Sequence, residues 1–183
     1  MKIVAVLGSL RKGNTAKMVS AACSRFDSND VQVIDLSELS LNFCTGCLIC
    51  DTEKKCCIDD GMTALMDRIA EADGFIFASP VRWSLMSGEL KTFFDRLNPF
   101  ATTETLSGKK AILFVVGQSE ENGDGAFSIH AGMKSMEFFC ENAGIDVIDT
   151  VEAFGCLSEG DVESTVYLDK CQVAADKLKA RLQ

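Results

Sequence analysis

The feature that most constrains the fold of this chain is a regular alternation of two kinds of segment. Five short apolar runs are separated by longer stretches in which apolar residues recur at helical spacing. Runs that are apolar on both faces are typical of parallel strands buried between two layers of helix. The alternation therefore predicts an α/β fold with a parallel sheet and helices on both faces. The predicted strands are Lys2–Leu7, Val31–Leu36, Gly74–Ser79, Lys110–Gly117 and Ile145–Val151.

Five apolar stripes at helical spacing predict the helix faces that pack on this sheet. Asp59 or Asp60 is available to cap the second helix. No repeat or linker divides the 183 residues, so we expect one domain, 1–183, with a cysteine-rich insert at about 43–60. The stripes are Met18, Val19, Ala22 and Phe26; Met62, Leu65, Met66 and Ile69; Leu90, Phe93, Phe94 and Leu97; Ile129, Met133, Met136 and Cys140; and Leu168, Cys171, Ala175 and Leu178.

Charge and composition exclude several partners. The chain has 18 Lys and Arg against 27 Asp and Glu, a net charge of −9, and only one Trp and one Tyr. Nucleic acid is therefore not expected as a partner. The first residues lack the pattern of a signal peptide, and no apolar run approaches the ~20 residues that span a bilayer. We expect a cytoplasmic protein that does not contact a membrane.

The loop after the first predicted strand, Gly8–Thr15, has the chemistry of a phosphate site. It reads GSLRKGNT and leads into a helix, whose N-terminus attracts anions. A nucleoside triphosphatase would need Lys at position 14, and this chain has Asn. The loop therefore suits a terminal monophosphate, with Ser9, Asn14 and Thr15 as neutral donors and Arg11 as the charged one. The alternative is an ordinary turn with a capped helix.

The loop after the third predicted strand carries a longer motif, SPVRWSLMSGELKTFFDR, at 79–96. This motif and GSLRKGNT resemble the NAD(P)H-dependent FMN reductase branch of the flavodoxin-like superfamily. The resemblance implies a three-layer sandwich with strand order 2-1-3-4-5 and a non-covalent FMN whose ring lies on Val81 and Trp83. Arg82 replaces an aromatic residue of many relatives, and it either contacts the flavin or faces solvent or another subunit. The implied ring-binding residues are Ser79, Pro80, Val81, Arg82, Trp83 and Ser84.

The loop after the fourth predicted strand places Gly117 and Gln118 at the same edge of the sheet, where we expect them to contact the cofactor. Glycine there permits close approach of the backbone. His130 is the only histidine, and the sequence gives it no role. We assign no catalytic residue, because a flavin carries out the electron transfer itself.

The insert concentrates five of the nine cysteines. Cys44, Cys47, Cys50 and Cys56 form a C-x₂-C-x₂-C-x₅-C pattern, with Cys57 adjacent. The pattern resembles that of the iron-sulfur flavoproteins, a branch of the same superfamily, and implies a [4Fe–4S] cluster on those four thiolates. Free or redox-active thiols and a zinc site are the alternatives. We interpret the other cysteines as small buried hydrophobic residues: Cys23, Cys140, Cys156 and Cys171.

These features predict an FMN-dependent oxidoreductase that resembles the NAD(P)H-dependent FMN reductases. Electrons would come from NAD(P)H or a reduced carrier of the ferredoxin type and pass to a quinone, a nitroaromatic compound or a flavin. The alternatives are an iron-sulfur flavoprotein electron carrier without its own small substrate, and an FMN or thiol redox sensor. Trp83, Leu85 and Met86 form a predicted exposed apolar cluster, so we expect a homodimer or homotetramer.

Overall fold

The computed structural model describes residues 1–183, and its centre is a five-stranded parallel sheet. Numbered along the chain, the strands lie in the order 2-1-3-4-5, as predicted, and each neighbouring pair is parallel. The central strands are almost entirely buried, which explains their unbroken apolar sequences. The two edge strands, the second and the fifth along the chain, are more exposed to solvent. The strands are β1 (Ile3–Leu7), β2 (Val31–Asp35), β3 (Gly74–Pro80), β4 (Lys110–Val116) and β5 (Asp146–Ala153).

Seven helices connect and cover the strands. The first and last helices pack against each other. The helix that contains Phe94 meets the helix that contains Phe139 where these two rings stack 3.7 Å apart. Of the 20 residues in the five predicted stripes, 18 belong to the buried core of 46 residues, and the strands supply much of the rest. The helices are α1 (Asn14–Cys23), α2 (Ile49–Glu53), α3 (Met66–Glu71), α4 (Gly88–Asp95), α5 (Asn98–Thr103), α6 (Ala126–Ala143) and α7 (Tyr167–Leu182).

Two short helices were not predicted. Helix α5 starts with Asn98 and Pro99, where Pro occupies the first turn that tolerates it. Helix α2 has five residues, none of them buried, inside the cysteine-rich insert. Neither has enough apolar residues at helical spacing to stand out in the sequence.

No helix in the chain combines the length and the apolar character that crossing a membrane requires.

The strand order fixes where a ligand can bind. From β1 the chain moves outward to β2, then returns across β1 to β3 and continues to β4 and β5. The loops that follow β1 and β3 therefore diverge at the carboxyl edge of the sheet and leave a crevice between them. Both sequence motifs lie on these two loops.

Candidate functional site

A cleft of about 490 Å³ opens at this carboxyl edge. Its volume is in the range of sites for small ligands and cofactors. Eleven of the twelve predicted cofactor-binding residues line it; Ser79 is the exception. The eleven are Ser9, Arg11, Asn14, Thr15, Pro80, Val81, Arg82, Trp83, Ser84, Gly117 and Gln118.

One end of the cleft is the N-terminus of α1. The helix begins at Asn14 after Gly13, and no side chain caps its first backbone N–H groups. Those donors, with the positive end of the helix dipole, suit an anionic group. The Ser9 hydroxyl donates to the Arg11 carbonyl at 2.9 Å and accepts from the Arg11 N–H at 3.2 Å, which holds the preceding loop in a tight turn. Arg11 itself is exposed at the rim.

Asn14 lines the cleft, and its side chain also makes hydrogen bonds within the fold. Its amide nitrogen donates to the Ser158 carbonyl at 2.8 Å, and its oxygen accepts from the N–H groups of Gly160 and Val162. Both ends of the side chain therefore hold the segment after β5 against the first loop. Thr15 is buried in the first turn of α1 and lines the cleft. This contact leaves no local sequence pattern, because the partners of Asn14 lie more than 140 residues away along the chain.

The other end of the cleft is a tight turn after β3. Arg82 and Leu85 exchange two backbone hydrogen bonds of 2.9 and 3.0 Å, and the two residues between them, Trp83 and Ser84, have φ values of 48° and 63°. Non-glycine residues rarely adopt positive φ, and such strain occurs most often at functional sites. The turn leaves the Trp83 side chain 99% exposed at the cleft. The Ser84 hydroxyl bonds the Ser128 hydroxyl at 3.2 Å, which ties the turn to α6.

Ser79 does not line the cleft, and its position does not support the predicted contact with a ligand. It is fully buried, and its hydroxyl accepts the Ser87 N–H at 2.8 Å and donates to the Pro80 carbonyl. The Ser87 hydroxyl in turn donates to the Gly8 carbonyl at 2.6 Å and caps α4 by accepting the Leu90 N–H. Ser79 and Ser87 therefore fix the two loops relative to each other from behind the site.

The charge of the cleft is opposite to that of the whole molecule. Arg11 and Arg82 are the only charged residues among those that line it, and no carboxylate does. The complete chain carries a net charge of −9. A cleft with two guanidinium groups and a helix N-terminus favours an anionic ligand.

The structure adds cleft residues that the sequence reasoning missed. Five of the eight lie at the start of α6 and after β5, whose carboxyl end reaches the same edge of the sheet. Cys156 is buried there, and burial raises the pKa of its thiol, so it behaves as an apolar wall residue. His130 does not line the cleft and its Nδ1 lies 2.8 Å from Glu152. The added residues are Gly13, Val116, Ser119, Phe127, Ser128, Ile129, Cys156 and Leu157.

The cysteines of the insert are near each other in sequence, but their sulfurs do not converge. The Cys47 and Cys57 sulfurs are 3.6 Å apart, while the Cys50 sulfur accepts from the Asn98 amide at 3.0 Å. Cys44 lines a separate cavity beside α4 and α5. No three His, Cys, Asp or Glu side chains are arranged so as to hold a metal ion. In this conformation the predicted set Cys44, Cys47, Cys50 and Cys56 does not form a metal site.

Comparison with known proteins identifies the family. The sequence pattern of the NADPH-dependent FMN reductase family matches residues 1–128, which include both cleft loops and the cysteine-rich insert. The chain belongs to this family. The resemblance deduced from the two motifs is thereby confirmed, and so is the flavodoxin-like fold.

Relatives within this FMN reductase family match a similar part of the chain. An iron-sulfur flavoprotein of Archaeoglobus fulgidus is 38% identical over 128 residues, which cover 66% of this chain and 58% of that protein. An iron-sulfur flavoprotein of Methanocaldococcus jannaschii is 34% identical over 126 residues, 67% of this chain and 65% of that protein. The matched region thus spans about three fifths of these relatives' own length.

The fold is shared by solved structures across nearly its whole length. An NAD(P)H:quinone oxidoreductase from Methanothermobacter marburgensis superposes with a TM-score of 0.73 at 19% identity, covering 97% of this chain and 96% of that one. At this identity the likeness establishes the flavodoxin-like architecture of this FMN reductase family member.

Proposed function

We propose that this chain binds FMN non-covalently in the cleft and uses it as an FMN-dependent oxidoreductase. The observation that carries the proposal is the cleft itself, which has an uncapped helix N-terminus at one end, an exposed tryptophan at the other and no carboxylate between them. A phosphate at the first end and an aromatic ring at the second match a flavin mononucleotide. The family to which the chain belongs supports the same ligand.

The residues present fit FMN when tested individually. The phosphate would accept from the free N–H groups at the start of α1 and from Arg11, since both donors face the cleft. The ring would lie between the Val81–Ser84 turn and the Gly117–Gln118 backbone, where glycine leaves room for it. Bound FMN would supply the redox chemistry, accepting a hydride or single electrons and passing them on. The chain's part is to hold it, orient it and limit its access to solvent.

Gly132 and Gly117 show how closely helix α6 packs against the Val81–Ser84 turn and the Gly117–Gln118 backbone. A Cβ on Gly132 would lie 2.7 Å from Val81 Cγ2, and one on Gly117 would lie 2.3 Å from Ile129 Cδ1. Both distances are shorter than atoms tolerate, so any larger residue would displace the walls of the ring site. The end of the Ile129 side chain can move away from position 117, whereas position 132 meets three atoms of the branched Val81 side chain, so Gly132 is the more restrictive of the two.

For the reaction, we propose that electrons from NAD(P)H pass through FMN to a small acceptor such as a quinone, a nitroaromatic compound or a flavin. The family description and the quinone oxidoreductase of similar fold support this class. An exposed Trp83 at the ring end leaves that side open for a second molecule. A ferredoxin-type carrier as the electron donor is the alternative.

The test is anoxic reduction of the FMN-loaded protein. Rapid bleaching of flavin absorbance by NADPH or NADH, followed by steady turnover with a quinone, would support the enzyme. Reduction by ferredoxin but not by either nicotinamide would support an electron carrier instead. Reduction without turnover by any acceptor would favour a sensor, and the absence of flavin binding would contradict the whole proposal.

A second candidate function is an iron-sulfur electron-transfer centre in the insert. The observation that favours it is the concentration of Cys44, Cys47, Cys50 and Cys56 in a largely exposed loop. The names of the relatives, iron-sulfur flavoproteins, support the same chemistry. Their thiol chemistry suits iron and sulfide, but the described loop would have to rearrange to bring the four sulfurs together. Iron and acid-labile sulfide near four per chain after anoxic preparation would support the cluster, and protein that takes up neither on reconstitution would exclude it.

We also propose that the chain assembles into a homodimer or homotetramer with the cleft near a subunit boundary. Three apolar side chains that line the cleft are more than half exposed, Trp83, Phe127 and Leu157, and so is Leu85 in the turn that contains Trp83. Exposed apolar groups that cluster in this way are typical of interfaces. Met86 was predicted to belong to this cluster but is buried. Analytical ultracentrifugation of FMN-loaded protein tests the assembly, and a monomer at working concentration would contradict it.

A further inference from the structure

The insert is anchored by one buried side chain from another part of the fold. Arg96 follows the last residue of α4, and its side chain is only 1% exposed. One terminal nitrogen donates to the Asn42 carbonyl at 2.8 Å, and the other donates to the Ile58 carbonyl at 3.1 Å. These carbonyls belong to the residues on either side of 43–57, the segment that contains all five cysteines of the insert. One guanidinium group therefore joins both ends of the loop.

Asp60 completes the anchor. Its carboxylate accepts from both terminal nitrogens of Arg96, at 2.6 and 3.1 Å, in the paired geometry that is characteristic of arginine. The same carboxylate accepts the backbone N–H groups of Asn42 and Met62. Lysine could supply the charge but not the planar fork that reaches two carbonyls and a carboxylate at once. The arrangement is thus specific to a guanidinium group.

One donor of this group is left over. Arg96 Nε is the only buried side-chain nitrogen or oxygen in the chain without a hydrogen-bond partner. Such groups are rare in native structures. Loop closure does not use this donor, because the two terminal nitrogens of Arg96 make all the contacts with Asn42, Ile58 and Asp60.

We propose that Arg96 is the positioning residue of the cysteine loop, holding its two ends together through Asn42, Ile58 and Asp60. Loop closure follows from the hydrogen bonds and does not depend on which group the cysteines hold. The consequence for metal retention rests on the iron-sulfur proposal above. Arg96 contacts neither the cleft nor its ligand, so its effect on FMN is expected to be small.

The experiment compares Arg96→Lys with Lys91→Gln. Arg96→Lys keeps a positive charge beside Asp60 but removes the fork, whereas Lys91 lies on the same helix in an exposed pair with Asp95 and is the matched control. Tryptic cleavage of native protein at Lys54 and Lys55, within the loop, measures loop opening. FMN per chain, thermal midpoint, iron and sulfide are measured on the same samples. The double variant Asp60→Asn/Arg96→Gln removes both buried charges together and gives an independent reading if Arg96→Lys does not fold.

We expect cleavage in the loop to become at least fivefold faster in Arg96→Lys and in the double variant, with FMN content unchanged and the control like wild type. If wild-type protein binds iron, iron retained after desalting should fall at least threefold in both variants. A folded Arg96→Lys protein that is cleaved at the wild-type rate and retains iron at the wild-type level would overturn the proposal. If wild type takes up no iron, the cluster proposal fails, while the cleavage rates still decide the role of Arg96.

Discussion

At the scale of single residues, Arg11 and Asn14 lie close together at one end of the cleft but differ in what they can contribute. The Arg11 side chain is exposed at the rim, whereas both ends of the Asn14 amide are bonded to the segment after β5. We predict that Arg11→Gln weakens FMN binding by about tenfold, as expected for losing a charged hydrogen bond, and leaves riboflavin affinity unchanged. Quenching of flavin fluorescence measures both dissociation constants, with Arg25→Gln, which lies in an exposed pair with Asp176, as the control.

Asn14→Ala should behave differently in the same titrations. The substitution releases the segment at 158–162 rather than a phosphate contact. The affinities for FMN and riboflavin should therefore fall by similar factors. A fall in the affinity for FMN alone in Asn14→Ala, or an equal fall in the affinity for both flavins in Arg11→Gln, would contradict the roles assigned to these two residues.

Asp60 and Arg96 predict a pH-dependent contribution to stability. Burial alone would raise the pKa of Asp60, but the hydrogen bonds from Arg96, Asn42 and Met62 outweigh it and lower that pKa well below its usual range. A lowered pKa in the folded state means that the stabilisation is complete above the unfolded pKa of about 3.9 and is lost as the pH falls below it. Asp60→Asn should therefore cost about 3 kcal/mol of unfolding free energy at pH 7, as for breaking a buried pair.

Urea unfolding of wild type and Asp60→Asn between pH 3 and pH 7 measures this contribution. The difference in unfolding free energy should be constant from about pH 5 upwards and should narrow below about pH 4. Asp95→Asn, in the exposed pair with Lys91, should change little at any pH. A difference that stays constant down to pH 3 would contradict the assigned ionisation.

At the scale of elements, the contact between α6 and the turn after β3 determines the shape of the ring site. We predict that Gly132→Ala lowers the unfolding free energy by about 1–3 kcal/mol, because its Cβ would meet Val81 at 2.7 Å. It should also weaken FMN and riboflavin alike, since Val81 lines the cleft. Gly88→Ala is the control, because nothing lies within 4 Å of a Cβ there. Equal stability of the two variants would show that α6 and the turn are not closely packed.

The elements also show how far sequence reasoning reached. All five strands and their order were predicted, because buried parallel strands leave unbroken apolar runs and the resemblance supplied the order. Eleven cleft residues were found because they lie on the three loops, after β1, β3 and β4, that the fold brings to one edge. Ser79 belongs to the same motif, but its position there does not show that its hydroxyl bonds within the core. Cys156 and the Arg96 anchor were missed, since contacts between distant segments leave no local pattern.

At the scale of the whole molecule, charge separates the cleft from the rest of the surface. In a chain with a net charge of −9, the only charged residues that line the cleft are two arginines, so the cleft favours anions more than the molecule as a whole does. The contrast agrees with one anionic cofactor held at a single place. It also implies that the phosphate, rather than the ring alone, contributes much of the affinity.

The most direct test of the account is the identity and amount of flavin bound by the whole protein. Apoprotein dialysed against FMN, riboflavin and FAD in parallel should retain close to one FMN per chain. Riboflavin should bind at least tenfold more weakly, because it lacks the phosphate that the start of α1 and Arg11 are arranged to hold. Equal affinity for FMN and riboflavin, a preference for FAD, or no retained flavin would contradict the assignment of this cleft.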